Sequence, residues 1–423
     1  MTNVEMQRAE IASAVGNAEF ILLGFPDVHG SIRGKALTAS AFESAVRDGT
    51  VFTDLLLALD PTDTPITDYD RFGINTGAGD LVVRAEPDTL RELTWRLGWR
   101  ACLATPYWRD GSPCTLASRE VLKRVLADID YETLAAFEYE IRLRDGDGEP
   151  LSSGLSYSVG ETFRFDEFMT RLTPALRGLG IELSAIHTEA GPGLLELNIA
   201  ARPGLQAADD ATFLKMAVKE VASSMGLTAS FLAKTVPGEE GSSGHLHLSL
   251  WHGGENAFDT TNRAAVAGIL EHLPAASLLL NPTVNSYKRL VPGYFAPVNV
   301  SWGIENRSCA LRVIEGSRIE CRRPGADANP YLALAALVAS VADGLERDLK
   351  PPEPFVGDAS AADLPPLPNS LESAIRAFEQ DTVLRTALGE EFSEYFLVSR
   401  AWELKAWQQA VSDWERERYT RTV

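Results

Sequence analysis

Four segments far apart in this chain place acids or imidazoles on alternate residues of apolar, strand-like runs. They are Phe137-Glu138-Tyr139-Glu140-Ile141, Glu189 with a Gly/Pro turn leading to Glu196-Leu-Asn198, His245-Leu-His247-Leu-Ser249, and Arg318-Ile-Glu320-Cys-Arg322. Successive side chains of a strand alternate between its faces, so each set shares one face. One such segment fits a half-buried antiparallel sheet with its polar face in water. Four fit it poorly, because solvated faces usually carry Lys, Thr and mixed charges rather than a His-x-His and interior glutamates. A carboxylate flanked by guanidinium groups is costly in an apolar setting unless an anion or a metal meets it there. If the four strands are neighbours, their polar faces form one surface of oxygen donors with one or two imidazoles. That surface suits Mg²⁺ or Mn²⁺ better than zinc. The arginines would then hold phosphate or carboxylate groups bidentately.

With 423 residues the chain has room for two or three ordinary domains. Its 45% apolar and 23% charged residues are ordinary for a globular enzyme. A net charge of −20 argues against a nucleic-acid groove or an anionic membrane surface, and weakly favours cationic substrates such as amines. The cysteines (Cys102, Cys114, Cys309, Cys321) have no CxxC spacing, which points to a reduced, cytoplasmic setting. The start, MTNVEMQRAEIASAVG, has no signal-peptide core, and no uninterrupted apolar run reaches a membrane-spanning length.

Residues 1–16 read as a short helix, 20–25 as a buried strand, Pro26-Asp27 as a turn and 32–38 as a second strand. A helix at about 40–48, strands over 51–59 and 81–85 and a Trp95–Trp99 segment complete a small mixed unit, residues 17–106. Tyr107–Pro113, with Asp-Gly and Pro, marks a boundary. A helix at about 117–129 opens the larger unit, residues 107–423. There, 206–226 carries helical periodicity. Asn329-Pro330 is an N-cap with Pro at the first helical position, leading into a helix over 331–349. Residues 351–368 read as a Pro-rich surface loop and 369–415 as a helical tail ending in Trp414–Tyr419. The fold class is α+β. Gly30-Ser-Ile-Arg-Gly34-Lys35 is one residue short of a P-loop, and Gly241-Ser-Ser-Gly244 is not a nucleophile elbow.

Residues 281–294 (NPTVNSYKRLVPGY), Asn306-Arg-Ser, Arg318-Ile-Glu-Cys-Arg322, Ala328-Asn-Pro-Tyr-Leu332, the Glu-x-Glu strand and residues 241–250 (GSSGHLHLSL) closely resemble the glutamine synthetase superfamily of the type I kind. The resemblance runs from about residue 20 to Tyr419. It implies an N-terminal β-grasp domain, a catalytic domain built on a curved antiparallel sheet, and a cytoplasmic homo-oligomer of two stacked hexameric rings with active sites shared between subunits. It implies that ATP activates glutamate as γ-glutamyl phosphate, which an amine attacks, with two or three Mg²⁺ or Mn²⁺ ions per site. Glu140, Glu189 and Glu196 match the first metal's ligands, and Glu138, His245 and Glu320 the second's. His247, Ser249, Arg318 and Arg312 fall at nucleotide and phosphate positions. Arg289 and Arg322, with Gly241 beside them, match the glutamate side. Arg307 matches the arginine that stabilises the transferred phosphoryl group.

The departures concern the amine. Ammonia-using members read Gly-Tyr-Glu-Ala-Pro where this chain has Phe295 in place of the glutamate that closes the site and helps deprotonate ammonium. A phenyl ring can neither take a proton nor pair with a small cation. Asp54 is the candidate for the ammonium-binding aspartate that the family takes from the adjacent subunit. Leu194 replaces a common glutamine, and Ser243-Gly244 a common Gly-Met. The sequence therefore points to the branch that makes γ-glutamylamines and γ-glutamylpolyamines, joining glutamate to a primary amine larger than ammonia. The alternatives are an ammonia-using glutamine synthetase that tolerates Phe295 and, from another class, a non-catalytic scaffold, which the intact metal positions oppose.

Overall fold

The computed structural model describes residues 15–423. The helix expected at the N-terminus falls on residues 1–14, outside the described residues, but for its last two positions. Two sheets organise the rest. In the first, Phe20–Pro26 (β1) pairs antiparallel with Ile32–Thr38 (β2) across a turn in which the Asp27 carboxylate accepts the His29 and Ser31 amides at 2.9 Å. Helix Ala39–Asp48 (α1) follows, with Thr38 Oγ1 capping the Ala41 amide. Thr50–Thr53 (β3), Asp80–Ala85 (β4), Arg91–Glu92 (β5) and Trp99–Tyr107 (β6) complete the sheet, in the order β2-β1-β6-β4-β3 with β5 on β6. Its grasp of a single helix by a mixed sheet is of the β-grasp kind. The strand expected over 51–59 stops at Thr53, because Thr53 Oγ1 accepts the Leu55 amide and turns the chain into a 3₁₀ helix, Asp54–Leu57.

The second sheet carries the site. Its strands are Glu132–Arg144 (β7), Leu183–Thr188 (β8), Leu194–Ile199 (β9), Arg202–Pro203 (β10), Thr228–Ser230 (β11), Gly244–His252 (β12), Glu255–Asn256 (β13), Trp302–Ile304 (β14), Leu311–Ile314 (β15) and Arg318–Cys321 (β16). The order is β14-β15-β16-β12-β7-β9-β8, antiparallel except for β14–β15. The four segments singled out by their alternation therefore form consecutive strands, β16-β12-β7-β9, with Glu189 just beyond β8.

Helices cover the apolar face. Ser118–Ala127 (α2) opens the unit, and Val159–Thr162 (α3) and Asp166–Gly178 (α4) precede β8. Gly204–Ser224 (α5), Phe258–Leu280 (α6), the short Ser286–Arg289 (α7) and Pro330–Glu346 (α8) follow. Asn329 Oδ1 caps α8 by accepting the Tyr331 and Leu332 amides. The expected tail helix is divided into Leu371–Gln380 (α9), Thr382–Leu388 (α10), Glu390–Gln409 (α11) and Asp413–Tyr419 (α12). Asp381 starts α10 by capping the Leu384 amide, and Gly389, at φ +89°, ends it. Residues 351–368 are irregular as expected but not merely superficial. The Phe355 amide donates to Trp302 O, Leu367 N donates to Val298 O, and Ala359 and Leu367 are buried.

One segment of α6, Arg263–Leu280, is long and apolar enough to cross a membrane, yet 78% of it is buried within the fold, where α6 packs on α8. The two helices meet at Gly268 and Gly344, whose Cα atoms are close enough that a Cβ on Gly268 would lie 2.8 Å from Gly344 Cα and 2.1 Å from Ser340 O. Side chains at this crossing would force the helices apart. Gly268→Ala should therefore lower stability by about 1–3 kcal/mol, read as a lower urea midpoint with an unchanged slope. An unchanged midpoint would show that the crossing relaxes freely.

Candidate active site

Strand register decides which side chains meet. Across β12 and β7, His245 stands opposite Glu138, and Glu138 stands opposite Asn198 on β9. Glu140 faces Glu196, which faces His187 on β8. His247 faces Glu320 on β16, and Glu320 faces Arg312 on β15. Directly paired residues of an antiparallel sheet project to the same face. Three adjacent rows of acids, imidazoles and arginine thus share one surface, and a one-residue slip of any strand would scatter them. This face is not solvated: Glu320 is 1% exposed, His245 4%, Glu196 6% and Glu140 8%.

The surface floors a cavity of about 760 Å³. Glu138, Glu140, Glu189, Glu196, His245, Glu320, Gly241, Arg289, Phe295, Arg307, Arg312 and Arg322 all line it, so twelve of the residues expected at the site meet in one place. A second cavity of about 430 Å³ lies beyond it, lined by His247, Ser249, Arg318 and Trp251, and the two share Glu138, Ala185 and Asn198. The arrangement is two chambers meeting at a carboxylate. Asp54 is not brought to either chamber of its own chain. It is buried in the small sheet unit, where its Oδ1 accepts the Gly73 amide at 3.2 Å.

Within the floor, Glu138 Oε1 lies 3.0 Å from His247 Nε2, and its Oε2 lies 3.7 Å from His245 Nδ1. His245 Nδ1 is also 3.6 Å from Glu320 Oε1. Donor atoms of Glu138, Glu196 and His245 all lie within 4.8 Å of one another, as do those of Glu138, His247 and Glu320 and those of His187, Glu189 and Glu196. His245 Nε2 is buried with no hydrogen-bond partner among the described residues. Clustered carboxylates, an unsatisfied imidazole nitrogen and water-sized space are a donor set that fits hard divalent cations. Ser243 N donates to Glu140 Oε2 at 2.7 Å, fixing one carboxylate, and Asn198 Nδ2 donates to Glu196 Oε1 at 3.1 Å, fixing another.

The charges do not balance pair by pair. Burial, then the neighbouring Glu140 and Glu138 carboxylates, push the Glu196 pKa up to about 8. Burial acts in the same direction on Glu138, but contacts with His245 and His247 outweigh it and hold that carboxyl well below the usual range. Glu320 is likewise held below its ordinary value against burial, chiefly by Arg322 and then the two histidines. Burial and the crowding of like charges thus drive neighbouring carboxylates apart in pKa.

The arginines differ in freedom. Glu320 is flanked by two guanidinium groups, but they are Arg322 and Arg312 (3.1 Å), whereas Arg318 turns its Nε to His247 Nδ1 at 3.0 Å. The expectation that Arg318 and Arg322 flank it is corrected in that respect, because His247 on β12 takes Arg318 while Arg312, opposite Glu320 on β15, reaches the carboxylate. Arg289, 1% exposed, directs its guanidinium to Ser243 Oγ and to the Arg322 and Arg323 carbonyls, so it braces the turn that carries Ser243. A side chain at Gly241 would collide with Arg289 Cγ at 2.5 Å. The Arg307 side chain enters the cavity with no ion pair among the described residues.

Sequence reasoning missed His187, Tyr157 and Glu305. His187 Nε2 lies 2.8 Å from Glu189 Oε1, and the Tyr157 ring stacks on it with centroids 4.1 Å apart. The His-x-Glu alternation of 187–189 was the available signal. Tyr157 and Glu305 follow no periodic pattern.

The comparisons agree with this geometry. The family model for the glutamine synthetase catalytic domain matches residues 116–419. The γ-glutamylethanolamide synthetase of Streptomyces coelicolor is 36% identical, over 96% of this chain and 93% of its own. A glutamate–isopropylamine ligase from a Pseudomonas species is 33% identical over 95% of each chain. Glutamine synthetases proper are also among the relatives. The solved structure titled GmaS/ADP complex superposes with a TM-score of 0.88 at 28% identity, covering 99% of this chain and 100% of the other. Removing a floor carboxylate should show in cation binding: Glu138→Ala should weaken Mn²⁺ binding, measured by calorimetry without substrates, by at least about 10–100-fold. Binding within a factor of two of wild type would rule Glu138 out. On fold, site and sequence together, this chain belongs to the glutamine synthetase family of ATP-dependent glutamate ligases.

Proposed function

We propose that the protein joins the γ-carboxylate of glutamate to a primary amine larger than ammonia, through γ-glutamyl phosphate. The observation that carries this reading is the combination of a complete acidic floor with an aromatic rim. Phe295 stands where an ammonia-using site needs a carboxylate, and Tyr157, Ala190 and Leu194 line the same cavity. Phe295 and Tyr157 are each 68% exposed, at φ +52° and +53°. Bulky side chains are uncommon in that region and are retained where a site demands them. An aromatic, weakly polar rim favours an alkyl or hydroxyalkyl substituent on the nitrogen over bare ammonium. Relatives named for making γ-glutamylethanolamide and for joining glutamate to isopropylamine support the same substrate class.

In this reading the nucleotide occupies the chamber of His247, Ser249 and Arg318, and glutamate the larger one, near Arg322 and the turn braced by Arg289. Mg²⁺ or Mn²⁺ would be held by Glu140, Glu189 and Glu196 on one side and by Glu138, His245 and Glu320 on the other, and would supply charge neutralisation between phosphates and carboxylates. The chain's own residues do the rest. A γ-carboxylate oxygen of glutamate attacks the terminal phosphorus and ADP leaves. Arg307 and Arg312 meet the charge on the phosphoryl oxygens. The neutral amine then attacks the acyl carbon, phosphate leaves, and the amine's surplus proton passes to a floor carboxylate or to solvent. We further propose, on the family resemblance, that Asp54 serves a neighbouring subunit's site in a ring-shaped homo-oligomer, with residues 17–106 and 107–423 as its two domains.

The test is phosphate release with glutamate and ATP over a panel of ammonium, ethanolamine, short alkylamines and diamines. Ethanolamine or an alkylamine should exceed ammonium in kcat/KM by at least about tenfold, a difference worth about 1.4 kcal/mol. Ammonium saturating at low concentration with no better amine would favour the ammonia-using reading. Phe295→Glu should narrow or reverse the preference. Arg307→Ala should lower kcat by about 10²–10³ with the glutamate KM little changed, as for loss of a transition-state charge stabiliser. An equal fall in kcat and rise in KM would make it a ground-state ligand instead.

A further inference from the structure

Glu305 sits one residue past β14, at φ +50°, one of six non-glycine residues with positive φ among those described. Its amide donates to Val313 O at 3.0 Å, extending the parallel pairing of β14 with β15. Left-handed backbone is unfavourable for glutamate and would not be for glycine. Here that conformation turns the carboxylate back across β15. Glu305 Oε2 accepts Arg312 Nε at 2.9 Å and also meets its Nη2. The remaining edge of the same guanidinium, Nη1, reaches Glu320 Oε2 at 3.1 Å. Two carboxylates therefore share Arg312, one half-exposed outside the cavity and one in its floor.

The sharing is unequal in consequence. Glu320 is buried, already paired with Arg322, and close to His245. A divalent cation that took Glu320 as ligand would have to draw that carboxylate away from Arg312. With Glu305 holding Nε and Nη2, Arg312 keeps one hydrogen bond on Glu320 rather than a bidentate grip, and it stays in the cavity when that bond is given up. Without Glu305, the fork of Arg312 has Glu320 as its sole carboxylate and becomes a direct competitor for it. We infer that Glu305 is a positioning residue, which holds Arg312 off the cation-binding face of Glu320 and presents it to the phosphate side of the site. This rests on the reading of Glu320 as a metal ligand, and it concerns Arg312 rather than any contact of Glu305 with substrate.

The test uses Mn²⁺ binding by calorimetry on the full chain, without nucleotide or glutamate. Glu305→Gln should weaken Mn²⁺ by about 3–10-fold, the range of a partly exposed charge pair in binding. Glu305→Gly, which relieves the backbone, should weaken it as much, and Glu305→Asp less. In an Arg312→Gln background the competitor is gone, so Glu305→Gln should then change Mn²⁺ affinity by less than about twofold, a coupling that a merely structural role does not produce. In turnover, Glu305→Gln should lower kcat and leave the glutamate KM within about twofold. Equal weakening in both backgrounds, or no weakening in either, overturns the inference while leaving the metal reading intact. A wild-type chain that binds no Mn²⁺ overturns both.

Discussion

The pairing register of β16, β12, β7 and β9 is the constraint on which the rest depends. Each strand contributes acids or imidazoles at a period of two, and only one register per pair puts them in common rows. The opposite faces of the same strands carry Phe137, Tyr139, Ile141, Leu195, Leu197, Leu246, Leu248, Ile319 and Cys321, all buried against helices. The apolar face thus selects the register, and the polar face inherits it. The same hydrophobic burial that stabilises the sheet brings Glu138, Glu196 and Glu320 into proximity that their mutual repulsion opposes. The fold supplies the energy and the site receives the strain.

That division explains what could be read in the sequence and what could not. Glu138, Glu140, His245, His247 and Glu320 were legible because strand alternation is a local pattern, and the covering helices α2, α5 and α8 were legible from 3.6-residue periodicity and caps such as Asn329-Pro330, whereas α4 and α6 were not read. The strand order was inferred only as a condition, since pairing partners lie as far apart as Glu132 and Trp251 and no local signal names them. Arg312 as a partner of Glu320 was missed for a different reason: the short hairpin that joins β15 to β16 sets their register, and the turn over residues 315–317 was not read. Asp381 and Gly389 break the C-terminal helix by capping and by a positive φ, small local events inside an otherwise continuous helical pattern. Tyr157 and Glu305 owe their positions to left-handed backbone that neither propensity nor periodicity encodes.

The two sides of the cavity answer to different physics. On the metal side, donors lie on strands whose positions are set by backbone hydrogen bonds on both edges, and side chains such as Glu140 and Glu196 are further fixed by Ser243 N and Asn198. At the rim, Phe295 and Tyr157 stand on loops and are largely exposed, with Tyr157 tied to the floor through its amide on Thr188 O at 2.8 Å and its ring against His187. Substitution at Phe295 can therefore change the rim without moving the floor strands, whose positions are set by their own backbone pairing. The presence of glutamine synthetases and amine ligases among the relatives of one chain is what that separation predicts.

The arginines show how the floor tolerates its own charge. Arg289 is spent on carbonyls and a hydroxyl, Arg322 and Arg312 on Glu320, and Arg318 on His247, leaving Arg307 as a cavity guanidinium with neither a hydrogen bond nor an ion pair among the described residues. Buried ion pairs cost desolvation that their attraction only partly repays, so pairs around Glu320 are better understood as place-holders than as stabilisers. They keep a carboxylate ionised in a dry setting, where desolvation alone would protonate it, and so keep it ready for a cation. Glu196, with no arginine partner, shows the alternative: its pKa rises until a proton does the same work.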